Sequence, residues 1–255
     1  MGGRFLSRTL SALLLAAGWL AQVDSAMAAD GSGTEHRAQI HTELGAAYLA
    51  RGQLGVALEE LNEAVRADPR YAPAHNVLGL IYMELREDGK AEKSFRRALE
   101  LEPGNSDAHN NYGLFLCQRG RVDESIDHFL AAVKNPLYAT PEKPLVNAGL
   151  CSLKKDDRRG AEDFFQKVLR LKPQQPQALY SLAEMYYRSG DAGLAKNYME
   201  RLLKAADPSP ASLWLALRIE RRLGNRDAEA NYGLQLRKLF PDARETQALR
   251  NGQYD

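Results

Sequence analysis

A surplus of charge of either sign is missing from this sequence: 34 Lys and Arg face 33 Asp and Glu, a formal charge of +1 over 255 residues. Removing the first 28 residues takes away Arg4, Arg8 and Asp24 and leaves the two signs equal in number. A neutral chain without clustered Lys and Arg has no electrostatic footprint for nucleic acid or for an anionic membrane surface. Long apolar runs are also scarce, because charges interrupt every apolar stretch after Ala28 within a few residues. No transmembrane span is therefore expected in the mature chain. There is no glycine-rich phosphate loop, no Gly-x-Ser-x-Gly elbow and no pair of carboxylates at a plausible site, so neither an enzyme nor a cofactor is expected.

The one long apolar run lies at the start. Arg4 and Arg8 form a positive region, Leu10 to Ala21 an apolar one, and Ala26-Met27-Ala28 a small-x-small cleavage site. Residues 1–28 read as a secretory signal peptide, since the run is too short for a comfortable membrane span. Residues 29–37 then form a flexible mature N-terminus.

What the rest of the sequence does contain is a period. Pro69 and Pro103 are 34 residues apart, as are Gly45, Gly79 and Gly113. Taking Ala38, Ala72, Ser106, Glu142, Pro176 and Ala211 as first positions aligns six units (38–71, 72–105, 106–141, 142–175, 176–210 and 211–241), followed by a C-terminal tail, 242–255. Position 8 reads Gly45, Gly79, Gly113, Gly149, Ala183 and Arg218; position 20 reads Ala57, Ala91, Ser125, Ala161, Ala195 and Ala230. Position 24 is large and apolar: Leu61, Phe95, Phe129, Phe165, Met199 and Leu234. Small residues at 8 and 20 suit the crossing of two antiparallel helices, and the large residue at 24 fills the space that their close approach creates. Proline at position 32 (Pro69, Pro103, Pro173) ends the second helix.

This pattern resembles the tetratricopeptide repeat family. The resemblance implies an all-α fold, a right-handed α-solenoid of about six helical hairpins with a concave inner surface. Arg218 and Arg237 break the pattern in the last unit, as a terminal capping repeat would.

His41, His75 and His109 recur at the same period. All three fall at position 4, a large-residue position within each hairpin. Helices stacked about 8–10 Å apart cannot easily bring such rings together on a metal, so no metal site is expected. Cys117 and Cys151 would meet an oxidising compartment after export, and a disulfide has to be considered. Positions 12 and 10 point to different sides of adjacent helices, which favours two small apolar core residues instead.

The concave face of this fold is lined by positions 2, 5, 9, 12 and 13 of each first helix. The candidate partner-binding groove is accordingly Leu49, Asn76, Leu80, Met83, Asn110, Leu114, Val146, Leu150, Tyr180 and Tyr187, with Leu215 and Ile219 continuing it. An apolar groove with a few fixed polar groups suits an extended or helical segment of a partner protein. The clamp for a chaperone's C-terminal carboxylate is not expected at the N-terminal end, where Thr42, Ala46, Pro73, Val77 and Leu80 replace its Lys, Asn and Arg.

Several segments go beyond the generic repeat: Asn110-Asn111-Tyr112-Gly113 with Phe115-Leu116, the lengthened connector Asn135-Pro136-Leu137-Tyr138, Asn147-Ala148-Gly149-Leu150, and Tyr232-Gly233-Leu234-Gln235-Leu236 with Phe240-Pro241. Together they resemble the type IV pilus biogenesis and stability family, the pilotins of the outer-membrane secretin. That resemblance implies a periplasmic scaffold, associated with the outer membrane, that promotes secretin assembly and hence pili and twitching motility. Its expected partners are proteins, the secretin or other pilus-assembly components. Members of that family are typically lipoproteins, whereas no Cys precedes Cys117 here; a lipid anchor is not supported, and envelope localisation would come from protein contacts. The alternative reading is a periplasmic repeat scaffold for cell-wall or polysaccharide machinery.

Overall fold

The computed structural model describes residues 33–254. The expected signal peptide, its expected cleavage site and residues 29–32 lie outside the described residues. The chain divides into two compact units, Met1–Phe115 and Leu116–Asp255. Among the described residues there are thirteen α-helices and no strands.

In the first unit, α1 (residues 33–50) is followed by α2 (Leu54–Ala67), α3 (Ala72–Glu84) and α4 (Asp88–Leu101). The chain passes into the second unit within α5 (Ser106–Gln118). There follow α6 (Val122–Ala132), α7 (Glu142–Lys154), α8 (Arg158–Leu171), α9 (Pro176–Ser189), α10 (Ala192–Ala205), α11 (Pro210–Arg222), α12 (Arg226–Leu239) and α13 (Arg244–Arg250). Helix α1 already runs at residue 33, so the segment expected to be flexible through residue 37 is helical over its last five residues. Helix α3 pairs with α4, α7 with α8, α9 with α10 and α11 with α12.

Three of the pairs pack closely because glycine stands at their crossing points. A Cβ placed on Gly79 would lie 2.6 Å from the Phe95 ring, one on Gly149 2.6 Å from Phe165, and one on Gly45 2.7 Å from Leu61. No real Cβ tolerates that distance, so glycine at position 8 and the large residue at position 24 are one contact seen from two sides. Leu61, Phe95, Phe165 and Met199 are accordingly buried, as are Ala57, Ala91, Ala161 and Ala195 at position 20.

Every turn inside a hairpin uses one left-handed residue at position 15: Gly52, Arg86, Gly120, Asp156, Gly190 and Gly224. An amide one residue later reaches back to the carbonyl at position 11, as in Gln53 to Tyr48 (3.0 Å), Glu87 to Tyr82 (2.9 Å) and Asn225 to Glu220 (2.9 Å). This arrangement satisfies carbonyls that the helix end leaves free. In the fifth unit the Ser189 hydroxyl donates to the Tyr186 carbonyl, at 3.0 Å. Gly52, Gly120, Gly190 and Gly224 are legible helix stops; Arg86 and Asp156 occupy the same backbone conformation despite their side chains.

The connectors between hairpins explain the recurring histidines. Tyr71 N–H donates to Asp68 O (3.2 Å) and Asn105 N–H to Glu102 O (3.0 Å), each around a proline. In both turns a position-4 imidazole binds the proline carbonyl: His75 Nε2 to Pro69 at 2.9 Å and His109 Nε2 to Pro103 at 3.0 Å. In α1, His41 Nδ1 instead meets Glu60 Oε2 at 2.7 Å. These rings fasten their own connector or hairpin.

The sixth unit departs from the expected register. The Ser209 capping box starts α11 at Pro210, and the left-handed Gly224 lies 34 residues after Gly190. Position 1 is therefore Pro210, one residue earlier than the alignment on Ala211. Ala230 and Leu234 then fall off the crossing, and Leu234 is 60% exposed. Instead the sizes are inverted: Leu217 is buried at position 8, and Gly233 at position 24 leaves it room, 3.5 Å from where a Cβ would stand. Leu249 of α13 enters from the other side at 3.4 Å. The segment expected to be a tail thus contains a capping helix, pinned by Thr246, whose hydroxyl donates to Phe240 O at 2.6 Å. Cover for the last hairpin comes from α13, where a solvated face was expected on Arg218 and Arg237.

Two predictions follow from the packing and the turns. Gly79→Ala should lower stability by about 1–3 kcal/mol through overpacking against Phe95, whereas Gly55→Ala, with nothing within 4 Å, should raise it by about 0.5 kcal/mol. Urea midpoints that moved in the same direction for both would contradict this account. Arg86→Gly should raise stability by about 1 kcal/mol by relieving a left-handed backbone, measurable as a higher thermal midpoint.

Candidate partner-binding groove

In the first unit, the candidate residues lie on α1, α3 and α5. Leu49, Leu80, Asn110 and Leu114 are partly accessible, whereas Asn76 and Met83 are buried. Asn76 belongs to an amide chain: Asn111 Nδ2 donates to Asn76 Oδ1, and Asn110 Nδ2 donates to Asn111 Oδ1, each at 3.2 Å. A buried amide must be hydrogen-bonded to offset desolvation, so Asn76 serves to join α3 to α5. Met83 is core. The surface that remains is apolar, with Asn110 at its margin.

Helix α5 also faces α4 in this unit. Tyr112 stacks on Phe95 at 5.7 Å, and its hydroxyl donates to Glu92 at 2.9 Å while accepting from Arg96 Nε at 3.2 Å. Burial, together with the Glu92 carboxylate, pushes the Tyr112 phenol above its ordinary range.

In the second unit, Leu150 and Tyr180 are partly accessible, and Val146 and Tyr187 are buried. Two guanidiniums lie over the Tyr187 ring, Arg222 at 4.1 Å and Arg218 at 4.8 Å. Arg222 Nη1 also donates to Tyr187 O at 2.5 Å, tying α11 to the end of α9. Tyr187 is therefore covered, and Leu215 and Ile219 are core. With position 1 at Pro210, the groove positions of α11 become Trp214, Arg218, Arg221 and Arg222, so this end is aromatic and cationic where leucine and isoleucine were expected. Tyr180 is raised above its ordinary phenol range by burial and by the nearby Glu184 carboxylate.

Cys117 and Cys151 form a disulfide joining α5 to α7, with Cα atoms 5.9 Å apart. The expectation against it treated the two positions as pointing away from each other. Stacked parallel helices meet through opposite faces, and positions 12 and 10, about 200° apart on the helical wheel, face one another for that reason. Ser125 Oγ lies 3.1 Å from Cys151 Sγ, so α6 packs against the same bridge.

Among the described residues no group of three or more His, Cys, Asp or Glu is placed to hold a metal, and no helix is long and apolar enough to cross a membrane.

This architecture is that of a tetratricopeptide repeat protein: the family profile, "Tetratricopeptide repeat", matches residues 42–106, 89–139 and 152–210. The chain is 30% identical to the type IV pilus assembly protein PilF of Pseudomonas aeruginosa over 84% of its own length and 85% of that protein's. Two solved structures extend the likeness. The structure of PilW, described as a widely conserved type IV pilus biogenesis factor, superposes with a TM-score of 0.74 at 33% identity, over 83% of this chain and 97% of that one. The structure of P. aeruginosa PilF gives 0.76 at 30% identity, over 86% and 99%. The chain belongs to the type IV pilus biogenesis family of tetratricopeptide proteins, and its fold class is the all-α solenoid of that family.

Replacing Cys117 and Cys151 together by Ser should lower stability by up to about 4 kcal/mol, the chain-entropy value for a loop of this size. Denaturation of the native protein with and without a thiol reductant checks it; midpoints unchanged by reduction would show that the bridge contributes nothing.

Proposed function

We propose that the protein is a non-enzymatic scaffold of the cell envelope, acting in the periplasm beside the outer membrane. It promotes type IV pilus biogenesis by holding a segment of the secretin, or of another pilus-assembly component, against its inner face. The observation that carries this reading is the 30–33% identity with PilF and PilW over more than four-fifths of the chain. The site's chemistry is in keeping with it. Leu49, Leu80 and Leu114 are partly accessible in the first unit, with Asn110, and Leu150 is partly accessible in the second, with Tyr180. Burying such leucines against a partner contributes about 25 cal/mol per Å², while the polar groups set register.

Envelope location follows from the same kinship, with protein contacts supplying the association with the outer membrane. The partner segment is best imagined as extended or helical, since both forms present side chains at a spacing that a row of parallel helices can match.

Leu80→Glu combined with Leu114→Glu should abolish twitching motility and reduce the secretin multimer. Thermal stability should stay within about 1 kcal/mol of the parent, as expected for substitutions outside the core. Normal motility with normal secretin multimers, in this variant and in a strain lacking the gene, would reject the proposal. A crosslinked partner set made of cell-wall or polysaccharide enzymes would move the scaffold to another envelope complex.

A further inference from the structure

The segment that follows α13 folds back over the inner-face positions of the last hairpin. Gly252 ends the helix in the left-handed conformation, with φ at +67°. The amides of Asn251, Gly252 and Gln253 return to the carbonyls of Gln247 (3.0 Å), Leu249 (3.3 Å) and Ala248 (2.9 Å). This is the hydrogen-bonded stop expected where glycine follows a helix, and it brings Tyr254 onto α11. The ring stacks on Trp214, with centroids 5.7 Å apart and planes 12° from parallel, and Arg221 Cζ lies 3.8 Å from its centre. Trp214 and Arg221 are two turns apart and so share one face of α11. Glu229 holds Arg221 at 2.7 Å, which fixes the guanidinium whether or not a ring lies on it. Helix α13 has its own attachments, through Leu249 beside Gly233 and through Thr246 bonded to Phe240 O. The cap and the segment after it are therefore held by different contacts.

We propose that residues 252–254 form a displaceable strap, in which Tyr254 occupies a slot on α11 that takes an aromatic side chain of the protein partner once the strap is released. The inference rests on the reading of the inner face as a protein-binding surface, and adds to it a competitor built into the chain. The ring already in the slot defines its chemistry: an indole plane and a guanidinium both gain from an aromatic face, and gain little from an aliphatic chain. A cavity of about 870 Å³ beside the strap, lined by Trp214, Arg244, Gln247, Asn251 and Gln253 among others, gives an incoming chain access to the indole without moving α13. One exposed stack and one exposed cation–π contact favour the closed strap roughly tenfold. A partner that needs the open form loses the same factor in apparent affinity.

The test uses the full chain carrying Trp19→Phe, so that Trp214 is its one indole, read by acrylamide quenching and by the indole N–H resonance. Tyr254→Ala should raise the quenching of Trp214 and shift its resonance. Tyr254→Phe should match the parent, because the ring fills the slot and the hydroxyl does not. Helix content should be the same in all three, since α13 keeps Leu249 and Thr246. The probes are acetyl-Gly-Gln-Tyr-amide and acetyl-Gly-Gln-Leu-amide. The tyrosyl peptide should bind the Tyr254→Ala protein about tenfold more tightly than the parent and return Trp214 to its parent level of quenching, whereas the leucyl peptide should leave Trp214 unshielded. Equal quenching in the parent and the alanine variant, equal binding of the tyrosyl peptide to both, or no binding to either would overturn the proposal. So would a loss of helix content in Tyr254→Ala, which would make the ring part of the cap, or a Tyr254→Phe protein that behaves as the alanine variant does. The assay contains no pilus component. Motility and secretin phenotypes of the Leu80 and Leu114 variants therefore succeed or fail independently of it.

Discussion

The hairpins depend on pairs of helices approaching closely enough for a side chain at position 24 to lie on a small residue at position 8, bare backbone at Gly45, Gly79 and Gly149. Gly79 beneath Phe95 and Gly149 beneath Phe165 are the plainest cases, because the space a methyl group would need is already filled by the ring. Dense interiors tolerate neither a void nor an overlap, so the two positions constrain one another more tightly than either constrains its own neighbours. Where the chain breaks the rule, it does so reciprocally. In the last hairpin the large residue is Leu217 and the small one Gly233, and the volume of the contact is preserved.

From this contact the rest of the architecture follows in short steps. A hairpin closed so tightly turns through a few residues only, which requires one left-handed residue per turn, and the six turns supply it at equal spacing apart from the lengthened connector after α6. Two of the connectors between hairpins are fastened by position-4 histidines, His75 and His109, acting on proline carbonyls. Within the first unit α3 and α5 are joined through Asn76 and Asn111. The same stacking brings Cys117 opposite Cys151.

Family membership and the surface chemistry address different questions. The likeness to PilF and PilW over most of the chain assigns the protein to type IV pilus biogenesis. The residues left accessible on the first helices are apolar at Leu80, Leu114 and Leu150 and aromatic and cationic around Trp214 and Arg218. The second character emerges only once α11 is placed at Pro210.

By itself, the sequence determined the helical-hairpin repeat, because a 34-residue period of glycine, alanine and aromatic positions reports local packing that each unit repeats. It also determined the family, through segments such as Asn110-Asn111-Tyr112-Gly113 and the long connector at Asn135. Only the tertiary structure decided the register of the sixth unit, where Leu217 and Gly233 exchange sizes and a pattern search for small-then-large slips by one residue. It likewise decided the bridge between Cys117 and Cys151, the burial of Asn76, Met83, Val146 and Tyr187, and the capping role of α13. Each of these depends on which face a neighbouring helix turns toward a residue, and that is settled between elements, by packing that no single helix period encodes.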